Sequence, residues 1–205
     1  MKKIGQGLQY KVFDLGNGRV LKKCISRSEA RLKLISWGEL RPTVIERDIE
    51  NVFELRKDSI GRIFEKLGTI NAEIIGNPEI FTDLGYKQDK VIPLGEYFSN
   101  HSVAENELVI DKYVENIFET WKYGFSDIIF NFTINNGVDS KGNVILIDLG
   151  ELSFNKDEVA KCVVDQKWLK QHSCTTLHNE ELKSYFISIM LDRVTLDGLN
   201  KYWPN

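Results

Sequence analysis

The run Val144-Ile145-Leu146-Ile147, delivered directly to Asp148-Leu149-Gly150, constrains the fold of this chain more than any other segment. Four consecutive β-branched or aliphatic residues bounded by turn formers read as a buried strand. Upstream, Asn135 to Asp139 is followed by Ser140-Lys141-Gly142, which has turn chemistry, so residues 131–149 are predicted to form a hairpin. Its second strand places a carboxylate beside a glycine at the strand end, a position suited to a hard divalent cation such as Mg2+. An ordinary hairpin closed by a capping Asp is the alternative.

A second patterned region opens the chain: Ile4-Gly5-Gln6-Gly7-Leu8-Gln9-Tyr10-Lys11-Val12. Glycines let backbone N–H groups approach phosphate oxygens without side-chain obstruction, although plain hairpin chemistry would look the same. Tyr10 to Phe13 reads as a strand, Gly16-Asn17-Gly18 as a turn and Arg19 to Cys24 as the return strand. Val20 and Lys22 then share a face, with Lys23 taking the place of Lys22 if the register slips by one. A solvated edge lysine is the alternative reading.

Helices are expected from Ser28 to Trp37 and from Pro42 to about Leu55. On the second, Ile45, Ile49, Val52 and Phe53 recur at helical spacing and leave Glu46, Glu50 and Glu54 on a neighbouring stripe. Ile60 to Leu67 either continues this helix or follows a kink. Residues 72–75, 78–81 and 87–94 read as short strands or extended loops, ending in a break at Pro93-Leu94-Gly95. Ser102 to Tyr123 reads as an amphipathic helix packed through Leu108, Val109, Tyr113, Ile117 and Trp121. Helices over 157–169 and 179–192 complete the chain.

With 42% hydrophobic and 28% charged residues, 205 residues suffice for one domain or two small lobes. A net charge of −3 argues against general nucleic-acid binding. Cys24, Cys162 and Cys174 are odd in number and lack metal-type spacing; with no secretory signal and no membrane-length apolar run, free thiols in a cytoplasmic setting are expected. His101, His172 and His178 read as surface or cap residues.

In order and placement these segments resemble the protein-kinase superfamily. Gly5-x-Gly7 followed by Val12 resembles the glycine-rich loop, with Tyr10 at the third glycine; Val20-Leu21-Lys22 resembles the strand carrying the phosphate-binding lysine. The interval from Asn135 to Asp148 resembles that from the metal-binding asparagine to the Asp of Asp-Phe-Gly. The likeness spans about residues 4–152 and is to a compact, bacterial- or phage-type kinase-like protein. It implies an α+β, bilobal protein-kinase-like fold. A small β-rich lobe with one main helix would occupy residues 1–94, and a reduced helical lobe residues 95–205, with the hinge near Pro93-Leu94-Gly95.

The resemblance further implies ATP and Mg2+ as cofactors. Gly5, Gly7, Val12 and Lys22 would contact nucleotide, Asn135 and Asp148 the metal, and Lys22 would pair with a helix glutamate, Glu50 being preferred to Glu46 and Glu54. The catalytic loop departs from the family pattern. Kinases place the asparagine five residues after the catalytic Asp, and five before Asn135 stands Phe130. Asp127 is the nearest acid, with Asn131 four residues on and Asn135 eight on. Three possibilities follow: an insertion with Asp127 as base and Asn135 on the metal, Asn131 as the ligand, or a degenerate site. No His-Arg pair precedes Asp127, no Ala-Pro-Glu follows Asp148, and residues 151–170 leave little room for an activation segment. The implied activity is γ-phosphoryl transfer from ATP to a hydroxyl acceptor, a protein Ser, Thr or Tyr foremost. A small-molecule (aminoglycoside-type) kinase, a pseudokinase and a non-kinase α+β interaction protein are the alternatives.

Overall fold

Turn glycines and alternating strands at the start of the chain build an antiparallel sheet. In the computed structural model, which describes residues 1–82, 84–171, 174, 177 and 179–204, β1 is Lys2–Gln6, β2 Tyr10–Asp14 and β3 Arg19–Cys24. The chain is mixed α+β and divides into two units. The first comprises Met1–Gly68, Asn77–Lys90 and Leu149–Glu151; the second comprises Thr69–Gly76, Val91–Asp148 and Leu152–Asn205.

In the first unit, α1 (Arg27–Ser36) and α2 (Pro42–Lys66) follow the strands, and β4 (Glu79–Ile80) and β5 (Tyr86–Asp89) complete the sheet in the order β1-β2-β3-β5-β4. β1 has no counterpart in the sequence reading: it is a mostly exposed, polar edge strand whose Gly5 pairs with Val12. β3 lies centrally, burying Val20, Leu21 and Lys22 in succession. α1 starts on a Ser26/Glu29 capping box, which satisfies two otherwise orphaned donors. α2 starts on Pro42 and runs 25 residues without a break. The stretch from Ile60 to Lys66 therefore continues this helix, and Leu67 caps its end. Its inward stripe is Ile45, Ile49, Arg56, Ser59, Ile60 and Ile63.

The second unit opens with Ala72–Ile75, which forms a 3-10 turn and not the strand or extended loop expected. Asn71 caps its start and Gly76, at φ 69°, closes it in the left-handed region, so local capping outweighs the strand-like composition. β6 (Ile92–Pro93) leads straight into α3 (Leu94–Asn100), so the expected break is a strand-to-helix junction. α4 (Val103–Lys122) begins on a Ser102/Glu105 capping box. It buries Val109, Tyr113, Ile117 and Trp121 as read from sequence, but Leu108 is 64% exposed, one residue outside the inward stripe.

β7 (Ser126–Asp127) and a one-turn helix α5 (Phe132–Asn135) precede the hairpin of β8 (Asn136–Val138) and β9 (Val144–Leu146). The expected hairpin therefore begins later than residue 131, because 132–135 close into a helical turn. Its own turn is drawn in by the Asp139 carboxylate, which accepts from the backbone N–H of Lys141 and Asn143. β10 (Leu152–Ser153) pairs with β7, and β6-β8-β9 form a three-stranded sheet. α6 (Lys156–Val164), a 3-10 turn at Lys167–Lys170 and helices at Glu180–Arg193 and Leu196–Tyr202 follow. Their core is aromatic: Phe132 stacks on Phe186 at 4.1 Å, and Trp121 and Trp168 are fully buried.

Cys24, Cys162 and Cys174 are free thiols. His101 is exposed and stacked on Tyr97, whereas His172 and His178 lie outside the described residues. Among the described residues no helix is long and apolar enough to cross a membrane.

Candidate active site

Two independent backbone ties gather three of the predicted residues in the second unit. The carbonyl of Asn135, at the end of α5, accepts from the N–H of Ile147 at 2.7 Å and of Asp148 at 3.2 Å. Separately, β7 pairs with β10, setting Asp127 opposite Leu152. Side chains complete the cluster. The Asp127 carboxylate accepts from the Asn135 amide (Nδ2 to Oδ2, 3.1 Å) and from the backbone N–H of Ile129 (2.7 Å) and Phe130 (3.1 Å), both to Oδ1. Ser126 fixes the strand beneath it, accepting from Trp121 Nε1 and donating to the Asp127 carbonyl.

This tight loop has a cost. Phe130 sits at φ +57°, a conformation that L-residues with a Cβ rarely adopt, and it is held there by burial against Trp168. Asp127 is itself almost wholly enclosed. Burial pushes its carboxyl up to about 6, the charge of Asp148 adding to the rise and the three N–H donors opposing it. Of the two asparagines weighed from sequence, Asn135 is the one brought to both acids. Asn131 precedes α5, and its buried Oδ1 has no hydrogen-bond partner among the described residues.

Carboxylate and amide oxygens are donors of the kind hard cations take. Asn135 donates from Nδ2 to Asp127, so the amide oxygen is its atom of ligand type, and Asp148 supplies a half-buried carboxylate. No group of three His, Cys, Asp or Glu side chains among the described residues forms a self-sufficient cage. One carboxylate and one amide oxygen suit Mg2+ that arrives with phosphate oxygens, and they do not suit Zn2+. A separate cleft of about 300 Å3 in this unit, lined by Asn71, Glu73, Lys112, Glu115 and Glu119 among others, contains none of the predicted site residues.

In the first unit, Lys22 is 7% exposed, with its ammonium 5.4 Å from the Tyr86 ring centre, while Lys23 points to solvent. Gly5 lies within β1 and Gly7 opens the β1–β2 connection, and Val12 lies on β2 opposite both Gly5 and Lys22. Glu50 is not turned toward Lys22: it is about half exposed and bonds Arg27, just as Glu46 bonds Arg31. The cause is helical phase. Glu46, Glu50 and Glu54 lie one residue round from the buried stripe, where Glu46 and Glu50 tie α2 to α1 instead.

The chain matches no protein-family model and no curated protein.

Two residues that sequence reasoning missed organise the first unit. Gln9, 4% exposed, donates from Nε2 to the carbonyl of Gly150 at 3.2 Å. Arg56, 5% exposed, donates from Nη1 to the Gln9 carbonyl at 2.8 Å and lies 4.2 Å from the Phe53 ring centre. A signal for Arg56 exists: it falls on the stripe of Ile45, Ile49, Ile60 and Ile63 once the helix is allowed past Leu55. No local signal marks Gln9.

Proposed function

We propose that the chain is a compact kinase-like phosphotransferase with a bilobal architecture, moving the γ-phosphoryl group of ATP to a hydroxyl acceptor, foremost a protein Ser, Thr or Tyr. The observation that carries the reading is the Asp127–Asn135–Asp148 cluster: an enclosed carboxylate held by an amide whose own main-chain carbonyl holds the backbone of a second acid. Asp127 is the general base, orienting the acceptor hydroxyl and taking its proton; a carboxyl raised to about 6 is better matched to that task than an ordinary one. Asn135 Oδ1 and the Asp148 carboxylate are the ligands offered to Mg2+, which when bound would neutralise charge on the phosphate oxygens.

Gly5 and Gly7 fit the phosphate-loop role by elimination. Neither has a positive φ, and a Cβ at either would meet nothing closer than 3.8 Å among the described residues, so neither backbone nor packing demands glycine there. Approach of a ligand to the backbone would. Lys22, buried and cationic, supplies charge toward the phosphates.

The test is transfer of label from γ-labelled ATP with Mg2+ to a panel of protein and aminoglycoside-type acceptors. Asp127→Asn and Asp148→Asn should each lower transfer by about 100-fold or more. Full transfer by Asp148→Asn would remove the metal assignment and the reading with it. One observation favours a second reading, a pseudokinase acting as a nucleotide- or partner-binding module: both carboxylate oxygens of Asp127 already accept internal N–H groups. That protein would bind MgATP and label no acceptor.

A further inference from the structure

We infer that Gln9 is a positioning residue that ties the glycine-rich loop to the Leu149–Glu151 segment, so that engagement of phosphate by the loop and the ordering of that segment are one event. The inference rests on the phosphotransferase reading for its purpose and on the first unit's own contacts for its geometry.

Three contacts converge on Gln9. Its side-chain Nε2 donates to the Gly150 carbonyl at 3.2 Å, two residues along the chain from Asp148. Its backbone carbonyl accepts from Arg56 Nη1 at 2.8 Å and from the Ile25 N–H at 3.1 Å, so both α2 and the residue that follows β3 hold its main chain. Its side-chain amide lies against the α-carbon of Gly150 so closely that a Cβ there would come 1.7 Å from Oε1 and 2.7 Å from Cδ. The φ of Gly150 is not in the left-handed region, and a side chain there would have to displace the buried Gln9 amide.

Arg56 is the anchor of this relay. Among the described residues no carboxylate pairs with it; its guanidinium instead covers Phe53 and reaches the Tyr10 ring at 5.6 Å. A guanidinium that stacks on rings and donates to a carbonyl holds a loop rigidly with little conformational freedom left. Because Glu50 faces Arg27, the link from α2 to the phosphate loop runs through Arg56 and the Gln9 backbone, and on through the Gln9 amide to Gly150.

Hydrogen exchange on the full chain tests this. Gln9→Met keeps length and volume but cannot donate; without nucleotide it should speed exchange of backbone amides in 148–152 about fivefold, the loss of one hydrogen bond, with little change in melting temperature. Gly150→Ala should lower the melting temperature by several degrees, and Gln9→Ala in the same chain should restore most of it, because the atoms that clash are gone. Unchanged exchange in Gln9→Met, or an equal penalty for Gly150→Ala in both backgrounds, overturns the positioning role. With MgATP added, the wild-type chain should gain protection at both 5–10 and 148–152, and Gln9→Met at 5–10 alone. Equal protection of 148–152 in the two proteins overturns the coupling. If MgATP protects neither segment of the wild-type chain, the phosphotransferase reading falls, while the nucleotide-free comparison still decides whether Gln9 positions Gly150.

Discussion

Replacing Asp127 with Asn should stabilise the protein above pH 7 while weakening it slightly near pH 4. The folded carboxyl titrates at about 6, mainly because burial disfavours its charge, whereas an unfolded Asp titrates near ~3.9. Between those values the folded chain keeps a proton that the unfolded chain has released. Stability therefore falls as pH rises through that window, and the full penalty applies above it. The separation corresponds to roughly 3 kcal/mol. Asn cannot ionise and escapes this penalty. It still offers Oδ1 to Ile129 and Phe130, but its amide nitrogen faces Asn135 Nδ2, at a cost of about 1 kcal/mol. The variant should thus be more stable than wild type by about 2 kcal/mol at pH 7.5 and less stable by about 0.5 kcal/mol at pH 4. Urea denaturation of both proteins across this range, without added divalent ion, gives the difference directly, and other titrating groups cancel. A difference that stays constant with pH, or that moves against the variant as pH rises, refutes the argument.

Gly5→Ala and Gly7→Ala should leave the melting temperature within about a degree of wild type, since neither Cβ meets a close neighbour, yet weaken MgATP binding measured by calorimetry; unchanged affinity would return these glycines to plain turn chemistry. Phe130→Gly relieves about 1 kcal/mol of left-handed strain but deletes a buried ring worth roughly 3–5 kcal/mol, so packing wins and chemical denaturation should show a net loss of about 2–4 kcal/mol. On α4, Leu108→Gln should change stability by less than about 0.5 kcal/mol and Trp121→Ala should cost about 3–5 kcal/mol, a contrast readable from the same denaturation curves.

The elements most legible in the sequence are those whose own residues carry the whole signal. α4 has capping residues, length and a clean apolar stripe; β9 has a β-branched run beside a turn that Asp139 closes locally. β1 is invisible because an exposed edge strand rich in Lys needs no hydrophobic alternation: its partner β2 supplies the hydrogen bonds. Residues 72–75 mislead because short apolar runs do not distinguish a strand from one helical turn, and here Asn71 and Gly76 decide the matter.

At the candidate site, Asp127, Asn135 and Asp148 can be named from spacing. That Asn135 and not Asn131 meets Asp127 depends on the α5 turn absorbing residues 132–135, which spacing alone does not reveal. Position along α2 favours Glu50 as the partner of Lys22, whereas what decides its partner is position around the helix. Gln9 and Arg56 matter through what they touch far away in the chain, and such contacts have no periodicity to read.

The hydrogen bond between Gln9 and Gly150 spans 141 residues of sequence. At synthesis rates of about 5–20 residues per second, the Gln9 amide would leave the ribosome roughly 7–28 s before its partner exists. Throughout that interval the emerging sheet lacks the three-residue piece, Leu149–Glu151, that completes its unit. The N-terminal strands are thus committed early in translation and finished late. A nascent chain arrested before residue 149 should hold those strands more loosely than the released protein does.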